Sequence, residues 1–271
     1  MSVMLQNFHP LGLAYNAKTS TISVVNHAQS GPSIEIFKLD QNIATAAHGS
    51  TIAHPLIHTP NSLFPISDHE LLITNNHKYE IRNRKLEATL KTYLSHPGGS
   101  VVYLNLLTNE AKIAADGIPF ANGITLLNST YVAVASTTTP SFSVYAINAA
   151  THDLALTQKV SIPFWIDNLK VDSAGTLLMA GHPWVPASTK VLKTNQLYDH
   201  DGTGKGLALD GRPRAGRWVA EWDGDGEGKI RDLYVGGVEE FGASTSVVRD
   251  LGRGLGFVVG LYEGGILMFK T

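Results

Sequence analysis

Short runs of β-branched and aromatic residues recur along almost the whole of this 271-residue chain, and turn residues separate them. The runs are TISVVNH at 21–27, SIEIFKL at 33–39, ELLITNN at 70–76, SVVYLNL at 100–106, TYVAVAS at 130–136, SFSVYAI at 141–147, TLLMAGH at 176–182, GRWVAEW at 216–222, KIRDLYV at 229–235, GLGFVVGLY at 254–262 and GILMFKT at 265–271. Pairs such as Gly31-Pro32, Asn122-Gly123 and Gly236-Gly237 punctuate them and indicate turns. This cadence predicts antiparallel sheets joined by tight turns.

Several runs also follow one order. A strand after a polar loop is followed by a turn, a second strand, another turn and a strand of the form SIEIFKL, SVVYLNL, SFSVYAI or GILMFKT. Repetition of one such unit is typical of the blades of a β-propeller. The sequence therefore predicts an all-β propeller with about five blades, forming a single domain over residues 1–271.

Two segments depart from this cadence. Residues 83–93 place Leu86 and Leu90 at i and i+4, which favours a short helix. Residues 184–216 are rich in Lys, Asp, Gly and Pro, and we expect a long surface loop inserted there. Two Asp-Gly segments, 199–204 and 223–228, resemble the start of a calcium-binding loop but lack its closing glutamate, so turns explain them better.

Composition excludes several classes of protein. Lys and Arg number 21 against 23 Asp and Glu, so there is no broad basic surface for nucleic acid. The chain has no cysteine, which rules out disulfides and zinc–thiolate sites. Its first residues resemble no signal peptide, and no stretch reaches the roughly 20 apolar residues of a membrane-spanning helix. We expect no nucleic-acid partner and no membrane segment in this chain, and the compartment stays open.

Three clusters of amide and carboxylate side chains suggest a metal site. Asn75-Asn76 lies in TNNH, Asn122 in FANG and Asp167-Asn168 in IDN, with spacings of 47 and 45 residues from Asn75 to Asn122 to Asp167. Each cluster ends or follows an apolar run. In a ring of similar units, equivalent strand ends meet near the axis, and neutral amide oxygens with one carboxylate suit a hard cation such as Ca²⁺. The pattern therefore predicts a calcium site.

Several segments, taken in order, resemble the paraoxonase and arylesterase family. They are HPLG at 9–12, VVNH and SIEIFKL within 24–39, TPN at 59–61, TNNH at 74–77, VVYL at 101–104, FANGI at 120–124, IDNLKVD at 166–172, GHP at 181–183 and GAST at 242–245. Members of that family are six-bladed propellers that hold calcium in a central tunnel. The resemblance implies a calcium-dependent hydrolase of small lactones or aryl esters.

The resemblance also implies roles for individual residues. The family's catalytic calcium ligands correspond to Asn75, Asn122, Asp167 and Asn168. His27 falls on one member of the family's histidine dyad, and His182 falls on a motif histidine near the metal. These two histidines and Asp167 are the expected catalytic residues. Phe120, beside the ion, and Leu11 are expected to line the substrate pocket.

Three departures from the family pattern stand out. The family's fifth calcium ligand is a glutamate in an N-terminal stretch that has no counterpart here, so we expect weaker calcium binding. Leu11 replaces the second histidine of the dyad, and Asn76 replaces an aspartate of the family's structural calcium site. With about five blades, the chain is expected either to close as a five-fold ring or to represent part of a longer sequence.

Two other functions remain open from the sequence. The departures at Leu11 and Asn76 would suit a decayed or non-catalytic propeller that serves as a binding scaffold. Gluconolactonases share the propeller and the central metal and act on sugar lactones, so a sugar lactonase is a further alternative.

Overall fold

The structure is a computed structural model, and it describes residues 7–78, 97–183, 215–224, 229–237, 241–261 and 263–271, with 190, 191, 194, 197, 207 and 213 as single positions. The helix predicted at 83–93 and the Asp-Gly segment at 199–204 lie outside the described residues. So do most of the predicted 184–216 insert and residues 225–228 of the second Asp-Gly segment.

Within these ranges the chain forms five antiparallel sheets. Sheet one contains β1 (Pro10–Asn16), β2 (Thr21–Ala28), β3 (Gly31–Asp40) and β4 (Thr45–Ile52). Sheet two contains β5 (Pro60–Pro65), β6 (Glu70–Asn75), β7 (Gly99–Asn105) and β8 (Ala111–Ile118). Sheet three contains β9 (Ala121–Leu126), β10 (Tyr131–Ser136), β11 (Ser141–Ile147) and β12 (Leu154–Ser161).

Sheet four contains β13 (Trp165–Val171), β14 (Leu177–His182), β15 (Arg217–Trp222) and β16 (Ile230–Gly236). Sheet five contains β17 (Ser244–Asp250), β18 (Leu255–Gly260) and β19 (Leu267–Lys270). In every sheet the strands pair in chain order, which is the meander of a propeller blade. The predicted all-β propeller class is confirmed.

Two compact units make up the chain. One comprises residues 1–139 and 143–159, and the other comprises 140–142 and 160–271. We refer to them as unit 1 and unit 2. The expected single domain over 1–271 stays a prediction. In the described part of both units, no helix has the length and apolar character needed to cross a membrane.

Burial separates the middle strands of each sheet from the last ones. In β6 every residue after Glu70 is buried, whereas β4 and β12 are largely exposed. The middle strands supply the cores because both of their faces are covered. Unit 1 packs fully buried residues such as Ile34, Ile73 and Val102, and unit 2 packs Leu178 and Val219.

Each sheet has an irregular register near the start of its first strand. The shifts lie between Pro10 and Leu13, Pro60 and Leu63, Ala121 and Ile124, Ile166 and Asn168, and Ser244 and Ser246. In each case extra residues of the first strand oppose a shorter stretch of the second strand, which is a β-bulge. Asn122-Gly123, predicted to be a turn, lies inside the bulge of β9, so that turn assignment was wrong.

Candidate functional site

The five bulges begin at equivalent residues of the five sheets. The first bulged residues are Leu11, Asn61, Asn122, Asp167 and Thr245. Three of these five, Leu11, Asn122 and Asp167, are positions that the sequence marked as site residues. Bulges bend the strand and redirect a side chain, and they are frequent beside active sites. The repeated bulge therefore takes these residues out of the regular pairing between the first and second strands.

The predicted histidines occupy matching positions at the end of the second strand. In sheet one, Pro10 pairs with Asn26 and His27 follows; in sheet four, Ile166 pairs with Gly181 and His182 follows. In sheet two the residue paired at this level is Asn75, opposite Pro60. Within each of these sheets, the predicted polar residues therefore lie at the bulged end.

Asn75 is held at both ends of its amide group. Its Oδ1 accepts the backbone N–H of Thr59 at 3.1 Å, and its Nδ2 donates to the Leu56 carbonyl at 2.8 Å and to Ser100 Oγ at 3.3 Å. The side chain is fully buried. These contacts fix which end carries the oxygen, and they use only one of its two lone pairs.

Asn122 presents a buried amide oxygen. Its Nδ2 donates to Thr137 Oγ1 at 3.0 Å, whereas Oδ1 has no hydrogen-bond partner among the described residues. A buried polar atom left in this state costs about 1–3 kcal/mol and calls for an explanation. The backbone of Ala121, which precedes Asn122, lies close to the backbone of Asn75 in unit 1, because a Cβ on Gly99 would come within 2.8 Å of both Asn75 O and Ala121 N.

Phe120, the predicted pocket residue, has a strained backbone. Its φ of 50° lies in the left-handed region, which costs a bulky residue on the order of 1–3 kcal/mol. Thr137 N–H donates to the Phe120 carbonyl at 3.2 Å. The ring meets the His77 imidazole edge to face, with centroids 5.0 Å apart, and burial lowers the pKa of His77. Strain of this kind persists where surrounding contacts hold it and is common at functional sites.

In unit 2, Asp167, Asn168 and His182 form one group. Asn168 Nδ2 donates to Asp167 Oδ1 at 3.1 Å and to the carbonyl of Thr245 at 3.0 Å. His182 Nε2 lies 3.7 Å from Asp167 Oδ2. His182 Nδ1 is buried without a hydrogen-bond partner in the described part of the chain. The structure thus brings together the carboxylate, the amide and one of the two predicted histidines.

His27 and Leu11 lie in sheet one. His27 Nε2 is 2.7 Å from the carbonyl of Pro60, and since a carbonyl only accepts, Nε2 carries the proton. Nδ1 is then the basic nitrogen of the neutral ring. Leu11, which the resemblance places at the position of the family's other dyad histidine, is 51% exposed and carries no proton-transfer group.

The donor chemistry fits a hard cation. Each predicted ligand offers oxygen, and Asp167 contributes the one carboxylate. Asn122 Oδ1 is buried and has no hydrogen-bond partner in the described ranges. A cluster of three or more His, Asp or Glu side chains able to hold a metal does not occur among the described residues. The four predicted calcium ligands are not a cluster of that kind, because three of them are asparagine amides. Asn75 and Asn122 belong to unit 1, and Asp167 and Asn168 belong to unit 2.

Three hydroxyl residues that orient the predicted site were missed from the sequence. Thr59 is tied to the Asn75 amide, Ser100 accepts from Asn75, and Thr137 accepts from Asn122. Each lies at a strand boundary, where threonine and serine are also common for local turn reasons. Of the three, only Thr59 could have been singled out from the sequence, because it is the first residue of the TPN motif.

Taken together, the structure is a β-propeller of five blade-type sheets, four of which carry the predicted amides, carboxylate and histidines at their bulged ends. The sequence model described as Arylesterase matches residues 2–200. The chain belongs to the arylesterase family.

Curated relatives agree with this assignment. The chain is 30% identical over 186 residues to "Serum paraoxonase/arylesterase 2" of Bos taurus, covering 66% of this chain and 50% of that protein. It is 30% identical over 183 residues to "Serum paraoxonase/lactonase 3" of Oryctolagus cuniculus, again covering 66% and 50%. The chain thus spans about half the length of the curated relatives it matches.

Solved structures share the fold. A gluconolactonase from Xanthomonas campestris aligns with a TM-score of 0.56 and 16% identity, covering 96% of this chain and 71% of that one. A chain of a nidogen/laminin complex aligns with a TM-score of 0.58 and 9% identity, covering 97% and 76%. At these identities the likeness supports the propeller fold alone.

Proposed function

We propose that this chain is a calcium-dependent hydrolase of lactones or aryl esters. Membership of the arylesterase family supports the reaction class. The observation that carries the proposal is the bulged end of the sheets, which sets Asn122 and Asp167 at equivalent positions. At this end Asn122 Oδ1 is buried and has no partner within the part of the chain that the structure describes. The residues that would hold the ion are Asn75, Asn122, Asp167 and Asn168.

Calcium at these oxygens would polarise the substrate carbonyl and stabilise negative charge on its oxygen. The chain's own residues supply the remaining chemistry. His27 keeps its Nε2 proton on the Pro60 carbonyl, so its Nδ1 is the atom that can take a proton from the attacking water. His182, 3.7 Å from Asp167, orients that carboxylate, and Phe120 with His77 provides an aromatic wall for the substrate.

The test is an assay of phenyl acetate, δ-valerolactone and glucono-δ-lactone with calcium and after its removal by a chelator. We expect turnover of at least one substrate, lost on chelation and restored by calcium. Asp167→Ala should lose both calcium binding and turnover, while exposed Asp116→Ala in β8 should keep both. An Asp167→Ala protein that stays active and calcium-loaded would overturn the proposed site.

The role of His27 needs its own variant. We expect His27→Ala to lower the rate by about 10²-fold or more, and to remove the rise in rate that accompanies deprotonation of an imidazole. His69→Ala is the matched control, since His69 is exposed. An unchanged pH–rate profile in His27→Ala would mean that another group activates the water.

Two observations each favour an alternative function. Leu11 removes one dyad histidine, which favours a non-catalytic propeller that binds a partner, and the predicted result is calcium binding without turnover of any ester or lactone. The likeness to a gluconolactonase favours a sugar lactonase, and it predicts that glucono-δ-lactone is the best substrate of the panel.

A further inference from the structure

Asn61 occupies the site-bearing position of sheet two. It is the first residue of the β5 bulge, between the register pairs Pro60–Asn75 and Leu63–Ile73. The same position is Asn122 in sheet three and Asp167 in sheet four. Neither the sequence patterns nor the comparisons assign a role to Asn61. Its place in the repeat therefore raises the question of what its amide binds.

The structural needs of this bulge are met by other residues. Thr74 Oγ1 accepts the backbone N–H of Ser62 at 3.0 Å and donates to the Ser62 carbonyl at 3.2 Å. Thr74 is fully buried and Ser62 is 7% exposed. The Asn61 side chain takes no part in this arrangement. It is half-buried, and in the described part of the chain it makes no hydrogen bond. An amide that is free at such a position is available to a ligand.

The neighbours of Asn61 are the proposed catalytic groups of unit 1. The preceding residue, Pro60, pairs with Asn75 in register, and its carbonyl accepts the Nε2 proton of His27. The backbone of the β1 bulge also packs against this turn, since a Cβ on Gly12 would lie 2.8 Å from Ser62 Cα. Asn61 thus directly follows Pro60, which pairs with the proposed calcium ligand Asn75 and accepts a hydrogen bond from the proposed base His27.

We propose that Asn61 binds the acyl oxygen of the substrate through its side-chain N–H. This role rests on the proposed ester and lactone hydrolysis. Water adds its oxygen to the carbonyl carbon, its proton passes to His27, and the electrons of the carbonyl π bond move to the acyl oxygen. Asn61 donates a hydrogen bond to that oxygen, whose charge grows in the transition state. Collapse then restores the carbonyl and expels the alcohol or phenol oxygen, which takes up the proton.

The variants are Asn61→Ala and Asn61→Leu, the second with the same branched arrangement of side-chain heavy atoms, with exposed Asn42→Ala as the matched control. Loss of one donor to a developing oxyanion lowers kcat by roughly 10²–10³-fold. We expect that loss in both Asn61 variants, with KM for phenyl acetate within about threefold and calcium Kd within about twofold of the wild-type values. Asn42→Ala should match the wild type throughout.

A binding measurement separates this inference from the hydrolase proposal. Methyl phenylphosphonate carries a tetrahedral anion like the transition state, and phenylacetamide is a planar neutral amide. We expect the Asn61 variants to bind the phosphonate at least tenfold more weakly and phenylacetamide nearly unchanged. If the wild type hydrolyses nothing, the hydrolase proposal fails, and phosphonate binding alone decides the role of Asn61.

Four results would overturn the assignment of Asn61. The first is an unchanged kcat in an active enzyme, and the second is unchanged phosphonate binding. The third is a calcium Kd raised more than tenfold, which would make Asn61 a metal ligand. The fourth is loss of folding in both variants, judged by melting curves, which would give Asn61 a structural role.

Discussion

Thr59 shows how a single residue can hold the segment that carries Asn75. Its backbone N–H binds Asn75 Oδ1, and its carbonyl accepts the backbone N–H of Asn76 at 3.0 Å. Its hydroxyl accepts the His77 N–H at 3.1 Å and donates to the His77 carbonyl at 2.7 Å. Four contacts to three successive residues make Thr59 a positioning residue for the end of β6. The positions of Asn75 and His77 are therefore coupled through it.

We predict that Thr59→Val destabilises the protein by about 1–3 kcal/mol. The substitution keeps the shape but removes the two part-buried hydrogen bonds between the Thr59 hydroxyl and the His77 backbone, each of which contributes about 0.5–1.5 kcal/mol. Urea unfolding of the two proteins gives the difference. Thr45→Val, at an exposed position of β4, should change the free energy of unfolding by no more than about 0.5 kcal/mol. Equal effects of the two substitutions would contradict the role of Thr59.

At the scale of strands, the sequence predicted the middle strands of every sheet and missed most of the outer ones. All eleven predicted runs became strands, within a few residues of their ends. The missed strands are β1, β4, β5, β8, β9, β12, β13 and β17, which are the first strand of every sheet and the last strand of three. Last strands such as β4 and β12 are exposed and polar, so their burial pattern gives no signal.

First strands were missed for a different reason, and the site is part of it. Their bulges contain residues that also favour turns, as in Leu11-Gly12 and Asn122-Gly123. The same residues that interrupt the strand pattern are those proposed to act in the site. Composition could not show that Asn122-Gly123 extends a strand, because only the pairing with β10 distinguishes a bulge from a turn. The family resemblance singled out Leu11 and Asn122 in the sequence. The strand register shows that they occupy equivalent bulge positions in their sheets.

Sheet four is tied to sheet five by buried ion pairs within unit 2. Asp172, after β13, accepts from Arg249 Nε at 2.9 Å and from the backbone N–H groups of Ala174 and Thr176. Arg249 also donates to Glu221 in β15. The Asp172 side chain is fully buried. Burial alone would raise the pKa of Asp172, but hydrogen bonds from Arg249 and the two backbone groups outweigh it, and the pKa is lowered.

We predict that Asp172→Asn destabilises the protein by about 1–3 kcal/mol at pH 7, because the buried Arg249 loses one of its two carboxylate partners and keeps the other, Glu221. The folded pKa of Asp172 lies below its unfolded value of about 3.9, so its contribution is complete above that pH. It is lost as pH falls through the folded pKa. The difference between wild type and variant should therefore shrink below about pH 4 in urea unfolding at several pH values. Asp116→Asn, at an exposed position, should show no such convergence.

On the scale of the whole molecule, charge balance bears on the proposed ion. The chain carries 21 basic and 23 acidic residues, for a formal net charge of −2. The proposed calcium ligands contain one carboxylate and three amides, so they neutralise only half of a divalent charge. Calcium affinity rises with the number of charged ligands. A ligand that binds only the folded state also stabilises the whole protein, by about 2.7 kcal/mol at a concentration of 100 times Kd.

We therefore predict that Asn122→Asp has opposite effects with and without calcium. Without calcium, the new carboxylate is buried without the metal ion that would offset its charge, and the melting temperature should fall. With calcium, the added charge should lower Kd at least tenfold, which is about 1.4 kcal/mol, and the calcium-induced rise in melting temperature should exceed that of the wild type.

Calorimetric titration and melting curves over a range of calcium concentrations measure both effects. Asn128→Asp is the control, since Asn128 is exposed and its Oδ1 accepts backbone N–H groups that a carboxylate also accepts. It should leave the response to calcium unchanged. If Asn122→Asp binds calcium no more tightly than the wild type, Asn122 Oδ1 does not face the ion. Its unpartnered oxygen would then require another ligand, and the assignment of calcium to the bulge of β9 would be wrong.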